Sequence, residues 1–241
     1  MIKEELDTYF EDFINKKSIF KDKKSLQANF TPDSIPHRDE EIKNIAKILA
    51  PALKIDKPSN LFIYGKTGTG KTISITHTMN KLISVAEKKN LPLKSIYLNC
   101  KLKKVADTEY RLVAQIAREL GQEIPTTGLP TEEVYKILFN LIDKQNSLFL
   151  LVLDEIDQLV KKTGDEILYN LTRMNAELQN SQISIIGISN DLFFRDNLDP
   201  RVISSLSEEE VVFPPYNAIQ LKDILKQRSE ISFEKNTINQ G

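Results

Sequence analysis

Five short apolar runs punctuate the chain, at Leu61 to Tyr64, Ser95 to Cys100, Leu148 to Leu153, Ile183 to Ile188 and Glu210 to Phe213. They are brief and lack strict alternation, which predicts strands buried on both faces of a mainly parallel sheet. Between them apolar positions recur at helical spacing: Ile73 to Glu87, Glu109 to Leu120, Glu132 to Ile142 and Glu166 to Leu178. Upstream, Ile42, Ile45, Ala46, Leu49 and Leu53 follow "HRDEE" and predict a further helix that buries one face, closed by Pro51 and Pro58. Gly121 stands where a glycine ends a helix, and Thr131, with Glu132 and Glu133 behind it, has the composition of a helix cap. The alternation predicts an α/β, doubly wound domain: a mostly parallel five-stranded sheet with helices on both faces.

Composition narrows the classes. With 241 residues, 40% of them hydrophobic, the chain can bury a proper core. Its 33 basic and 34 acidic residues leave a formal charge of -1, so any nucleic-acid surface must be a local patch. Cys100 is the one cysteine, which excludes an internal disulfide and reads as a small buried core residue. "MIKEELDTYFEDF" lacks the basic and apolar regions of a signal peptide. The longest pure apolar run, Leu148 to Leu153, is too short to span a bilayer, so no membrane role is expected. Residues 1–38, with the lysine cluster "NKKSIFKDKKSL" and Pro32 and Pro36, read as a solvated or loosely packed N-terminal arm, and the core is expected over residues 39–216.

"YGKTGTGKT" supplies the chemistry. Gly65, Gly70, Lys71 and Thr72 match G-x-x-x-x-G-K-[ST] between a predicted strand and a predicted helix, with Gly68 as an additional glycine. A chain turning tightly off a strand exposes consecutive backbone N–H groups, and the next helix adds its positive end, so Gly65, Lys66, Thr67, Gly68, Thr69, Gly70, Lys71 and Thr72 form a polyphosphate nest. Lys71 is expected to reach the β- and γ-phosphates, and the Thr72 hydroxyl to enter the Mg²⁺ shell.

"LFLLVLDEIDQL" runs into Asp154 and Glu155, which would emerge beside that loop at the carboxyl end of the sheet. Asp154 is assigned to the metal and Glu155 to the attacking water; Asp157 is expected to cap a helix or face solvent. "ISIIGISND" ends in Asn190, which either bridges water and γ-phosphate or forms a turn with Asp191. Arg201, in "NLDPRVISSL", either completes a neighbour's site in trans or makes a structural ion pair.

Together these stretches resemble an AAA+ ATPase with a P-loop NTPase fold, and more narrowly the archaeal origin-recognition and cell-division-control initiator family. "IPHRDEEI", "PSNLFIYGKTGTGKT", "LVLDEIDQL", "LYNLTRMN", "IIGISND", "LDPRVISSL" and "FPPYNAIQLKDILKQRSEISF" carry the resemblance from roughly Ser18 to Phe233. It implies a cytoplasmic, nucleoid-associated switch that takes ATP or ADP with Mg²⁺, binds double-stranded origin DNA, helps to load the replicative helicase, and meets a neighbouring AAA+ subunit in trans. It also implies that the strand ending at Asn190 lies between the phosphate-loop strand and the acid strand. Ile35, His37, Arg38 and Tyr216 become candidate adenine contacts. Residues 101–130 occupy the place of a DNA-touching helical insertion, with Lys101, Lys103 and Lys104 at its start. The family continues into a helical lid with a second sensor arginine and then a winged-helix domain. Here residues 217–241 would only begin the lid, so the chain is expected to be truncated or a degenerate paralogue, and Arg228 is not that sensor. A non-DNA switch acting on a protein complex and a catalytically weak nucleotide-binding module remain the alternatives.

Overall fold

The computed structural model describes residues 2–15, 18–27, 30, 34–101, 107–125, 127–206, 208–235 and 237. Its strands are β1 (Asn60–Tyr64), β2 (Leu93–Asn99), β3 (Leu148–Asp154), β4 (Gln182–Ser189) and β5 (Glu208–Val212). Its α-helices are α1 (Ile2–Asn15), α2 (Asp39–Leu49), α3 (Lys71–Lys88), α4 (Glu109–Glu119), α5 (Thr131–Asp143), α6 (Ile156–Thr163), α7 (Glu166–Glu177), α8 (Pro200–Leu206) and α9 (Ala218–Ser232). By contacts the chain divides into two units, residues 37–215 and a second formed by residues 1–36 with 216–241.

In the larger unit the strands form one sheet in the order β2-β3-β4-β1-β5, every neighbouring pair parallel. β4 therefore separates the strand before the phosphate loop from the strand that ends in the acids. Parallel pairing requires a crossover at each step, which is why helices fall on both faces. Successive side chains of a strand point to opposite faces. Accordingly Leu61 and Ile63 join Ile75 and Met79 of α3 and Ile45 and Leu49 of α2 in one core. Phe62 and Tyr64 join the other, with Leu112 and Ile116 of α4, Leu138 of α5 and Leu168 and Leu171 of α7.

The three central strands are buried throughout β1 and β3 and over nearly all of β4. The outer pair depart from the expectation of burial on both faces: β2 and β5 are sheet edges and leave Lys94, Ser95, Tyr97, Glu209 and Glu210 exposed. Gly187 of β4 lies directly under the Phe62 ring, where a Cβ would collide with ring carbons. α4 ends as its sequence suggests: Gly121 takes φ 89°, and the N–H groups of Gly121 and Gln122 reach the carbonyls of Arg118 and Ala117. Thr131 does not cap α5; it is the first helical residue, and Pro130 precedes it, a favourable order because a proline needs no N–H there. Ala46 is exposed, since only Ile45 and Leu49 of its helix face the core squarely.

In the smaller unit, described residues of the leading segment contact α9 and the residue after it. Phe20 and Phe233 form an antiparallel bridge, and their rings sit 5.1 Å apart. Arg228 of α9 donates to the Ser25 and Gln27 carbonyls at 3.0 and 3.2 Å, and the Ser25 and Ser232 hydroxyls meet at 2.5 Å. Arg228 thus has a structural task. Among the described residues, no helix is long and apolar enough to cross a membrane.

Candidate functional site: a phosphate loop facing an acidic strand end

β1 delivers the chain to Gly65, where a side chain has no room: a Cβ would stand 2.6 Å from the Phe213 carbonyl oxygen and 3.0 Å from Thr69 Oγ1. The loop then closes on itself, with Thr69 Oγ1 donating to the Lys66 carbonyl at 2.8 Å. Gly70, at φ 91°, turns the chain into α3, whose first-turn N–H groups have no carbonyl within the helix to meet. Arg38 braces this loop from behind. Almost fully buried, it donates to the Thr69 carbonyl at 2.9 Å, to Glu41 at 2.6 Å and to the Pro214 carbonyl at 2.6 Å, with its guanidinium over the Phe213 ring. The family resemblance makes Arg38 a candidate adenine contact; in the structure its guanidinium braces the loop. His37, next to it, takes a left-handed φ of 61°. Ile35 and Tyr216 belong to the smaller unit.

The Lys71 ammonium makes three hydrogen bonds: to the Gly65 carbonyl at 2.7 Å, the Lys66 carbonyl at 2.9 Å and Asn190 Oδ1 at 2.8 Å. An ammonium has three donors, so it is saturated and held over the loop. Burial holds its pKa below the usual lysine value, while Asp154, Asp157 and Glu155 pull the other way.

Asp154, buried at the end of β3, faces Thr72 across the sheet top, and Thr72 Oγ1 donates to its Oδ2 at 3.0 Å. A hydroxyl and a carboxylate at that separation suit Mg²⁺, which keeps much of its water and shares its remaining positions with phosphate oxygens. Among the described residues there is no group of three or more His, Cys, Asp or Glu that could hold a metal ion. Glu155 caps α6 with φ 55° and ψ 45°, a left-handed conformation that costs a non-glycine residue about 1–3 kcal/mol. Its carboxylate pairs with Lys101 at 3.3 Å.

Asp157 departs from the solvent-facing or capping role expected of it. It is 3% exposed, accepts the Asn190 N–H at 3.3 Å and the Gln158 amide at 2.8 Å, and pairs with Lys161 at 3.6 Å. Asp157 therefore fixes the backbone of the residue whose side chain holds Lys71. On the sequence it was one more acid near a helix start; the clue was its spacing, one helical turn before Lys161.

The remaining candidates lie further out. Arg201 is largely exposed and grips Asp199 with two bonds of 3.1 Å, at the start of α8. That contact raises the pKa of Arg201 and lowers that of Asp199. Lys101 is exposed apart from its bond to Glu155. Lys103 and Lys104 lie outside the described residues. Cys100 is fully buried; desolvation, with the Asp154 charge, pushes its thiol up to about 12, so it is an inert core residue.

Known proteins are similar to this chain in sequence and fold. The family model for the AAA domain matches residues 55–193. The ORC1-type DNA replication protein of Thermococcus onnurineus is 51% identical over 240 residues, which cover 98% of this chain and 57% of that protein. Among solved structures, the Aeropyrum pernix ORC1 protein in complex with DNA matches with a TM-score of 0.85 at 41% identity, over 93% of this chain and 57% of that one. The Aeropyrum pernix ORC2 protein in its ADP form matches with a TM-score of 0.77 at 25% identity, over 92% and 60%. The chain thus spans little more than half the length of such relatives.

Proposed function

Since the chain belongs to the AAA domain family and is a relative of the archaeal ORC1-type DNA replication proteins, we propose that it is the nucleotide switch of a replication initiator. In this reading it binds ATP with Mg²⁺, hydrolyses it slowly, engages origin duplex DNA and helps to load the replicative helicase. One observation carries the proposal: Lys71 and Thr72, from one helix start, are hydrogen-bonded to Asn190 and Asp154, from two strand ends, around the phosphate loop.

The chain's own groups divide the work. Backbone N–H groups of residues 65–72 hold the phosphates, and Lys71 exchanges its loop carbonyls for phosphate oxygens. Thr72 and Asp154 would hold Mg²⁺, which when bound would supply positive charge to offset that of the phosphates. Glu155, freed from Lys101, accepts a proton from the attacking water, and the Asn190 amide orients that water. Arg201, presented on the surface of α8, reaches a neighbouring subunit's nucleotide. For DNA the support is the similarity to the Aeropyrum pernix ORC1 protein, whose structure is in complex with DNA, and the lysines at positions 101, 103 and 104. Such lysines would contact phosphates rather than read bases.

Titration calorimetry with ATP tests the core of the proposal. Lys71→Ala should weaken binding about 10- to 100-fold, the worth of a charge-assisted contact; undiminished affinity would overturn it. For the DNA role, duplex affinity is measured against salt. Charge reversal of Lys101, Lys103 and Lys104 should flatten the slope, and an unchanged slope removes this segment from the DNA surface.

A further inference from the structure

Tyr97 was singled out by no motif, yet its hydroxyl ends on the candidate metal carboxylate. It donates to Asp154 Oδ2 at 2.6 Å, the same oxygen that accepts the Thr72 hydroxyl at 3.0 Å. The other oxygen, Oδ1, accepts the Glu155 N–H at 2.9 Å. An ionised carboxylate offers about four acceptor positions. Three are taken by donors from three different elements, β2, α3 and the start of α6, so the plane of the carboxylate is fixed and one position remains.

The route of the phenol explains how an edge strand reaches the centre of the site. In the β2–β3 register Asn99 lies opposite Asp154 and Tyr97 opposite Val152. Tyr97 shares a sheet face with Asn99 and with Leu93, and Leu93 packs in the core that contains Ile75 and Met79 of α3. From that face the ring runs forward along the sheet to the level of Thr72. Packing alone does not account for it: the residue is 45% exposed, and a phenylalanine would cover the same surface. What the hydroxyl adds is the bond to a carboxylate that is itself 4% exposed.

We propose that Tyr97 is a positioning residue for the nucleotide's Mg²⁺, acting through Asp154 by fixing the rotation of its carboxylate. The inference rests on the reading of Thr72 and Asp154 as the metal side of an ATP site. Partners of metal ligands are worth about 10- to 100-fold in metal affinity when removed.

The test is ATP affinity of the whole chain, measured by calorimetry in EDTA and across a Mg²⁺ titration, for the unaltered protein and for Tyr97→Phe. The expected result is an unchanged affinity in EDTA and a Mg²⁺ midpoint about tenfold higher. Midpoints within about twofold of each other overturn the proposal, as does an equal loss of affinity with and without Mg²⁺, the signature of a merely structural tyrosine. Because Tyr97 is argued to act through Asp154, Tyr97→Phe should add nothing on an Asp154→Asn background; a further tenfold shift there overturns it. If the unaltered protein binds ATP equally well with and without Mg²⁺, the reading of the metal site falls too, whereas an unshifted Tyr97→Phe in a Mg²⁺-dependent protein removes Tyr97 alone.

Discussion

Lys71 and Asn190 lie 119 residues apart in the chain and meet at 2.8 Å, ammonium to amide oxygen, above the sheet. The contact exists because β4 is the strand next to β1, so the end of one delivers Asn190 beside the loop that follows the other. It makes Asn190 part of the loop's electrostatics. Asn190→Ala should leave ADP affinity within about threefold and lower ATP turnover roughly 10²-fold, the cost of one oriented polar group. Steady-state phosphate release alongside ADP titration checks both, and an undiminished rate would remove Asn190 from the reaction.

Glu155 is held in a left-handed backbone and by Lys101. Glu155→Gln keeps the shape and removes the base, so ATP affinity should persist while turnover drops about 10²- to 10⁴-fold. Single-turnover hydrolysis is the measurement.

Gly187 and Phe62 share space that admits no further carbon. Gly187→Ala should cost about 1–3 kcal/mol by overpacking, read as a lower Tm in thermal unfolding. Phe62→Leu opens room at the same place, so the alanine should cost less on that background.

Asp143, at the end of α5, accepts the backbone N–H groups of Asn180 at 2.7 Å, Gln179 at 2.9 Å and Ser181 at 3.1 Å, and so ties down the turn before β4. These bonds, with Asn180 first, hold its carboxyl below the usual range. A carboxyl with a lower pKa in the folded than in the unfolded state adds stability above about pH 4, and that stability disappears as pH falls through the folded value. Asp143→Asn should therefore lower Tm at pH 7, with the difference from the unaltered protein shrinking below about pH 4.

How much the sequence disclosed depended on the kind of signal. The phosphate loop and Asp154 were legible because glycines, a lysine and an acid at a strand end have few other reasons to stand in that order. Strand positions followed from apolar runs, but their burial did not: nothing in "LKSIYLN" marks an edge, since the neighbour that is missing is a matter of topology. Asp157 was misjudged because a buried acid and a capping acid look alike until the residue that donates to it, Asn190, is brought near by the sheet. The bonds of Arg38 to the Thr69 and Pro214 carbonyls were out of reach of the sequence for the same reason.

The bridge between Phe20 and Phe233, with the Ser25 and Ser232 hydroxyls beside it, bears on the order in which the molecule is made. Ser25 leaves the ribosome 207 residues ahead of its partner. At roughly 5–20 residues per second the early segment waits on the order of 10–40 s for α9, while the sheet between them has everything it needs to form. The smaller unit therefore assembles only after the strands of the larger one have been made, and until then the ring of Phe20 waits without the ring of Phe233.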